Sequence, residues 1–321
     1  MTRVAPLLPD ATRDLAGFAA GLRFDDVAPT VIDHAKLCTL DGLGVALFGA
    51  RLPWTAHVRR MAVTEEATLA ALFWGTDDRG TVARAALVNG TAGHAFEMDD
   101  IHKESIVHPN SQAEPVALAF AEGLGGVSGQ DVLEAGYGGI LSSMSGNPKP
   151  ERLTAGLGTT WKTAEVGFKL YPSVTSIHTE LDALDTVMTE QGLAVGDIDR
   201  VSVGCSHMTF VHTAWPYKPA GVTAVQMNLF YGLAMIALHR DASVRWYSEA
   251  GLADSTAMAF MRPITAFKDP DLEAMGAAFR HACRLEVATK DGPILRHERL
   301  ARRGSPEDAV GSRGWVRRYR S

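Results

Sequence analysis

In the first part of the chain, Ala and Leu recur at three- and four-residue spacing through residues 14–22, 27–47 and 82–96, which predicts amphipathic helices there. Between them, residues 68–74 form an apolar run too short to assign to helix or strand. A further helix is predicted over 114–124, closed by Gly125-Gly126. Another begins after Ser128, with Gly129-Gln130-Asp131 in its first turn. To this point the pattern is that of an all-helical domain.

From Gly146 the texture changes. Asn147-Pro148-Lys149-Pro150 is a turn or linker signal, and the segments after it alternate between strand and helix character. A helix is predicted over 177–189, with Ile177, Leu181, Leu184 and Met188 on one face, and a strand over 199–206. A long apolar helix follows at 225–238, and strands at 284–289 and 294–299 flank the turn Lys290-Asp291-Gly292. The predicted fold class is mainly α: an all-helical N-terminal domain over 1–146, a smaller α+β domain over 147–307, and a divergent tail over 308–321.

Composition narrows the function. With 46% hydrophobic residues in a chain of 321, a sizeable core and two domains are possible. Lys and Arg total 31 against 37 Asp and Glu, so no overall basic field favours nucleic acid or an anionic membrane, and neither is expected as a partner. A small acidic substrate would then need local cations. No apolar core of a signal peptide follows Met1-Thr2-Arg3-Val4-Ala5-Pro6, and no run of about 18 uncharged apolar residues occurs, so a cytoplasmic protein is expected. Cys38, Cys205 and Cys283 lack the paired spacing of a zinc or iron–sulfur site and are expected to be reduced and buried.

The richest chemical stretch is His94-Ala95-Phe96-Glu97-Met98-Asp99-Asp100-Ile101-His102-Lys103-Glu104, followed by Ser105-Ile106-Val107-His108-Pro109. On a helix ending near Asp99, His94 and Glu97 would share one face, with His102 and His108 on the loop beyond. Nearby carboxylates orient an imidazole and favour its charged form, which suits a group that takes and returns a proton. His108 is the candidate for that role. The same residues also read as a solvated helix end with ordinary charge pairs, or as a metal site of undiagnostic spacing.

Lys169 lies in a short extended segment between aromatic residues, and Pro172 biases its neighbour away from helix. A partly enclosed ammonium there would grip a carboxylate, beside a helix starting near Ser176-Ile177 with His178 in its first turn. Alone, such a lysine is more often a snorkelling surface residue. Tyr231 sits in the apolar helix, where a core tyrosine and a pocket tyrosine are equally reasonable readings.

Asn89-Gly90 leading to His94, Glu97, Asp99-Asp100, His102 and His108-Pro109 resembles the signature loop of the MmgE/PrpD family, which includes 2-methylcitrate dehydratase, cis-aconitate decarboxylase and iminodisuccinate epimerase. Three further stretches are similar and in the family's order: Leu40-Asp41-Gly42-Leu43-Gly44-Val45-Ala46, Gly167-Phe168-Lys169-Leu170-Tyr171-Pro172, and Thr223-Ala224-Val225-Gln226-Met227-Asn228-Leu229-Phe230-Tyr231. The resemblance implies a helical domain with an α+β lid, assembled as a homodimer, and a lyase using no metal and no cofactor. Its substrate would be a small polycarboxylate such as 2-methylcitrate or aconitate, with epimerisation of an amino-dicarboxylate as the nearest alternative. It also implies site roles. Lys169 would hold a carboxylate and stabilise enolate-like charge, His108 would move the proton, Asp99, Asp100 and Glu97 would orient the histidine, and Tyr231 would assist proton transfer. Glu97, Asp100, His102 and His178 would contact the substrate.

The sequence also departs from the family. After Tyr137 the family continues through a long helical block with a His-Pro-Thr stretch and a Lys-x-x-His-x-Gly stretch, and neither motif occurs here. Leu170 replaces a usual proline, and Arg313, Arg317, Arg318 and Arg320 end the chain where the family has returning helices. The uncovered apolar faces predict self-association beyond a dimer, and a non-catalytic remnant stands as the competing reading.

Overall fold

The computed structural model describes residues 11–63, 70–137, 154–249 and 251–311. The boundary expected at 146/147, the Asn147-Pro148-Lys149-Pro150 linker and the tail beyond Gly311 lie outside the described residues. Contacts divide the chain into two compact units, Met1–Ala95 with Asp99–Phe168, and Phe96–Met98 with Lys169–Ser321.

The first unit is built on helices α1 (Ala11–Gly21), α2 (Pro29–Gly49) and α3 (Pro53–Ala62), a hairpin of β1 (Ala70–Leu72) and β2 (Arg79–Thr81), then α4 (Val82–Gly93), β3 (Ile101–His102), α5 (Asn110–Gly123), α6 (Gly129–Tyr137) and β4 (Val166–Gly167). Helices α2, α4 and α5 pack against one another. Close approach is enforced at Gly49, where a Cβ would lie 2.0 Å from the Ala92 carbonyl oxygen; any side chain there would push α2 off α4.

The expectation of an all-helical first domain is corrected by the two short sheets. The run 68–74 is in part strand β1, antiparallel to β2, and β3 pairs with β4. Asn89 explains why so short an apolar strand persists: its Oδ1 accepts from Trp74 N at 2.9 Å and its Nδ2 donates to Leu72 O at 3.0 Å. A long-range side chain thus completes the backbone pairing that three residues could not. Helix α3 was not foreseen; its signal was Pro53 at the first helical position.

The second unit contains α7 (His178–Glu190), β5 (Ile198–Cys205), α8 (His207–Thr213), α9 (Val222–Gln226), α10 (Leu229–His239), α11 (Ser255–Met261), β6 (Ile264–Lys268), α12 (Pro270–Ala274), β7 (Cys283–Thr289) and β8 (Ile294–Arg299). The sheet runs β6-β5-β7-β8, parallel between β5 and β6 and antiparallel elsewhere. Alternation places Val201, Val203 and Cys205 with Cys283, Leu285 and Val287 among the buried residues, and α7 packs on β7 and β8. The helix expected over 225–238 is two helices. Asn228 breaks it: its Oδ1 accepts from Tyr231 N at 3.0 Å, restarting the helix as a cap, while its Nδ2 donates to Trp215 O. All three cysteines are buried and unbridged. Among the described residues, no helix is long and apolar enough to cross a membrane.

Glu180, in the first turn of α7, is fully buried. Burial pushes its pKa well above the ordinary value; the backbone amide of Glu180 opposes this and Asp182 reinforces it. The folded chain therefore holds the proton more tightly than the unfolded chain, where Glu titrates near about 4.3. That contribution is complete below this unfolded pKa and is lost as pH rises toward the folded one. Glu180→Gln, which cannot ionise, should gain on wild type in urea midpoint as pH is raised from mildly acid to neutral. Parallel midpoint curves for the two proteins would refute the assignment.

Candidate functional site

Thr81 opens α4, its hydroxyl accepting from Arg84 N at 3.3 Å, and the helix stops at Gly93 rather than continuing to 96. His94 N still bonds Gly90 O, but Ala95 N reaches back only to Ala92 O, so the last turn tightens and ends. Glu97 then adopts φ 53°, which an α-helix cannot continue. The expected shared helical face of His94 and Glu97 is thereby corrected. Glu97 falls in the second unit, between residues of the first.

What the turn assembles in the first unit is a pair of imidazoles about one carboxylate. Asp99 is 1% exposed, and its Oδ2 lies 2.6 Å from His94 Nδ1, a hydrogen bond, and 3.3 Å from His108 Nδ1. The second contact is close but makes no hydrogen bond. The two rings meet edge-on at 4.9 Å. His108 remains partly open to solvent, with its side chain 21% exposed, so a reactant can reach it. His94 was not among the expected site residues; its signal was its place in the same loop, five residues before Asp99. The three donor atoms lie within 4.8 Å of one another and would also suit a divalent ion. The observed 2.6 Å contact is the separation of a hydrogen bond, shorter than two ligands of one tetrahedral ion keep.

The other loop residues turn elsewhere. His102 is buried, with Nδ1 accepting from Ser105 N at 3.3 Å and lying 2.6 Å from Ser105 Oγ, so its Nε2 donates to Glu165 Oε2 at 3.1 Å. Asp100 is fully buried and its Oδ1 accepts the Asn110 amide at 3.0 Å, fixing the start of α5. Burial first, then the charge of Asp99, pushes its pKa well up against the lowering by Asn110, and Asp41 and Glu114 add to the rise. The carboxylate seen against the two imidazoles is that of Asp99, while Asp100 is engaged with the start of α5.

In the second unit Lys169 is 1% exposed and its Nζ donates to Glu97 Oε2 at 2.8 Å. Glu97 is therefore the counter-ion of the lysine and not a support for histidine. The segment carrying Lys169 is anchored two residues on, where Tyr171 Oη donates to Asp182 Oδ1 at 2.8 Å and Arg303 binds both. His178 is fully buried with Nε2 donating to Ser173 O at 3.1 Å. Burial, then the positive charges of Arg302 and Lys169, hold its pKa well below the ordinary value, so it is a neutral ring with no charge to offer an anion. Tyr231 is buried, stacks on Tyr217 at 5.6 Å and donates to Trp246 O at 2.5 Å. Burial is the main cause that raises its pKa. It can take part in proton transfer only by exchanging the Trp246 carbonyl for another partner.

Residues 13–140 match the MmgE/PrpD N-terminal domain and residues 171–319 the MmgE/PrpD C-terminal domain. The chain belongs to the MmgE/PrpD family. Within this MmgE/PrpD chain, His94, Asp99, Asp100, His102 and His108 fall inside the first match, His178 and Tyr231 inside the second, and Lys169 in the stretch between them. Among curated proteins it is similar to cis-aconitate decarboxylase of Aspergillus terreus, 31% identical over 135 residues, which is 41% of this chain and 28% of that protein. A cis-aconitate decarboxylase-like protein of Aspergillus oryzae is 28% identical over 113 residues, covering 35% of this chain and 23% of its own length. The chain thus spans less than a third of these relatives where it matches them.

Proposed function

We propose that this MmgE/PrpD protein is a lyase, a decarboxylase or dehydratase, acting on a small polycarboxylate of the aconitate or methylcitrate kind. The observation that carries the reading is the buried Asp99 carboxylate with the Nδ1 atoms of His94 and His108 at 2.6 and 3.3 Å. An imidazole held against a buried carboxylate and partly open to solvent is placed to exchange a proton with a bound acid. His108 is assigned the proton transfer at carbon. In decarboxylation the carbon–carbon bond breaks, carbon dioxide leaves with its bond to oxygen retained, and the electron pair left on carbon accepts the proton from the imidazolium. In dehydration the imidazole removes the proton from carbon, the carbon–oxygen bond breaks, and the imidazolium returns that proton to the departing hydroxyl, which leaves as water with the imidazole regenerated. The cis-aconitate decarboxylase relatives favour the first reaction.

Lys169 is assigned a substrate carboxylate, which would compete with Glu97 for the ammonium. The proton chemistry as written is complete without a metal or organic cofactor. Exposed Leu40, Phe120 and Leu124 on the first unit support the reading of a self-associating chain, homodimer or larger.

Solvent deuterium incorporation followed by NMR across aconitate, methylcitrate, citrate and iminodisuccinate tests the activity without presupposing the product. Exchange or conversion of one acid, lost in Lys169→Ala and retained in the presence of a chelator, is expected, with sedimentation of the same sample reporting the assembly. Epimerisation of iminodisuccinate alone would replace the lyase reading. Silence across the panel from folded protein would leave a non-catalytic remnant.

A further inference from the structure

The Lys169–Glu97 pair joins residues 72 apart in sequence, and both partners lie on segments with no regular secondary structure of their own. Glu97 follows a turn and has φ 53°, a conformation that a glutamate adopts only when its surroundings hold it. Something must fix both backbones, and Gln226 reaches both. Its Nε2 donates to the Phe96 carbonyl, immediately before Glu97, at 2.9 Å, and to the Pro172 carbonyl, three residues after Lys169, at 3.0 Å. Its own backbone oxygen accepts from Val174 N at 3.0 Å, tying the lysine-bearing segment a second time. The side chain is 2% exposed, and two carbonyl acceptors at one end fix which amide atom is nitrogen. Both of its N–H groups are thus committed, one to each segment. All six residues belong to the second unit, so the clamp is internal to it.

We propose that Gln226 is the positioning residue of this site, its carboxamide holding Glu97 and Lys169 in register so that the ammonium is presented with a counter-ion that a substrate carboxylate can displace. The proposal rests on the reading of Lys169 as the carboxylate-binding group, yet its geometry can be tested without turnover. Removing the carboxamide leaves two buried carbonyls without donors and releases the turn before Glu97 from the segment after Lys169. The ion pair then opens locally while the sheet and α7 remain folded.

The test is competitive acylation of lysines by acetic anhydride, read by peptide mass spectrometry, with exposed Lys218 as internal reference. The variants are Gln226→Met, which keeps the volume and loses both donors, and Ser206→Ala. The latter loses a buried hydrogen bond to the Arg280 carbonyl in the same unit, with no hydrogen bond to either segment of the pair. Lys169 in Gln226→Met is expected to label about tenfold faster than in wild type, the ratio that loss of about one net hydrogen bond of local stability allows. Ser206→Ala is expected to leave that rate unchanged at a comparable melting temperature. Should Gln226→Met not fold, Gln226→Asn, which draws both donors back by one methylene, carries the same comparison. Wild-type labelling of Lys169 in a folded Gln226 variant, or equal acceleration in Ser206→Ala, overturns the proposal. A wild-type protein that turns over no acid counts against the proposed function and leaves the labelling result standing.

Discussion

His108→Asn should reduce turnover by about two to four orders of magnitude, the range that a positioned acid–base group supplies, while the melting temperature stays close to wild type. The stability half of the expectation follows from the surroundings of the ring. Its side chain is partly exposed, its Nδ1 makes no aligned hydrogen bond, and asparagine keeps a polar group near Asp99. The activity half follows from proton affinity: a carboxamide accepts no proton near neutral pH, so no variant of the step in which carbon is protonated by the ring survives. Single-turnover product formation, compared with thermal melting of the same preparation, separates the two. Turnover within about threefold of wild type, too small a loss for an acid–base group, would remove His108 from the chemistry and turn attention to His94, whose Nδ1 already bonds Asp99 at 2.6 Å.

The largest stability effect should come from Arg303. Its Nε donates to Asp182 Oδ1 at 2.6 Å, its backbone N to Asp182 Oδ2 at 2.7 Å, and its Nη2 to Tyr171 Oη at 2.6 Å and Asp185 Oδ2 at 3.3 Å. Asp182 is 1% exposed. Arg303→Met leaves that carboxylate buried with Tyr171, a backbone amide and the more distant Arg299, 3.8 Å away. Loss of one partner of a buried pair costs about 3–5 kcal/mol in general. Because Arg303 is itself about one-third exposed and Arg299 remains, about 3 kcal/mol is expected here. Urea unfolding would register it as a shift in midpoint at unchanged slope. The double variant Arg303→Met with Asp182→Leu should be more stable than Arg303→Met alone, since the stranded charge is gone. A double variant no better than the single would show that shape, not charge, is what Arg303 supplies. Because Tyr171 lies two residues from Lys169, the same substitution should loosen the lysine segment.

Periodicity was enough for the long elements. The spans expected for α2, α7, β5, β7 and β8 lie within about two residues of those observed, the ordinary uncertainty of element ends; α7, β5 and β7 carry apolar residues that must be buried, and β8 is bounded by the turn that joins it to β7. It failed where a single polar side chain overrides the stripe. Asn228 splits an apolar helix in two by capping, and Asn89 sustains a strand of three residues by bonding its backbone from another helix. The end of α4 failed for a related reason: His94, Ala95 and Phe96 are all compatible with helix, and only the positive φ at Glu97 shows that the chain has already turned.

For the candidate site, the sequence by itself determined the family, the loop that carries the acidic and imidazole groups, and the candidacy of Lys169, because those are properties of residue type and order. Which groups meet was decided only by the tertiary structure. Asp99 gathers His94 and His108, Asp100 is buried against the start of α5, His102 turns to Glu165, and Glu97 pairs with Lys169. The physical reason is separation along the chain. Lys169 and Glu97 are 72 residues apart, Arg303 and Asp182 are 121, and Gln226 and Phe96 are 130. Local pattern fixes the face a residue presents on its own element, whereas desolvation and charge pairing across such distances are settled only when the elements pack and each buried carboxylate must find a donor or give up its charge.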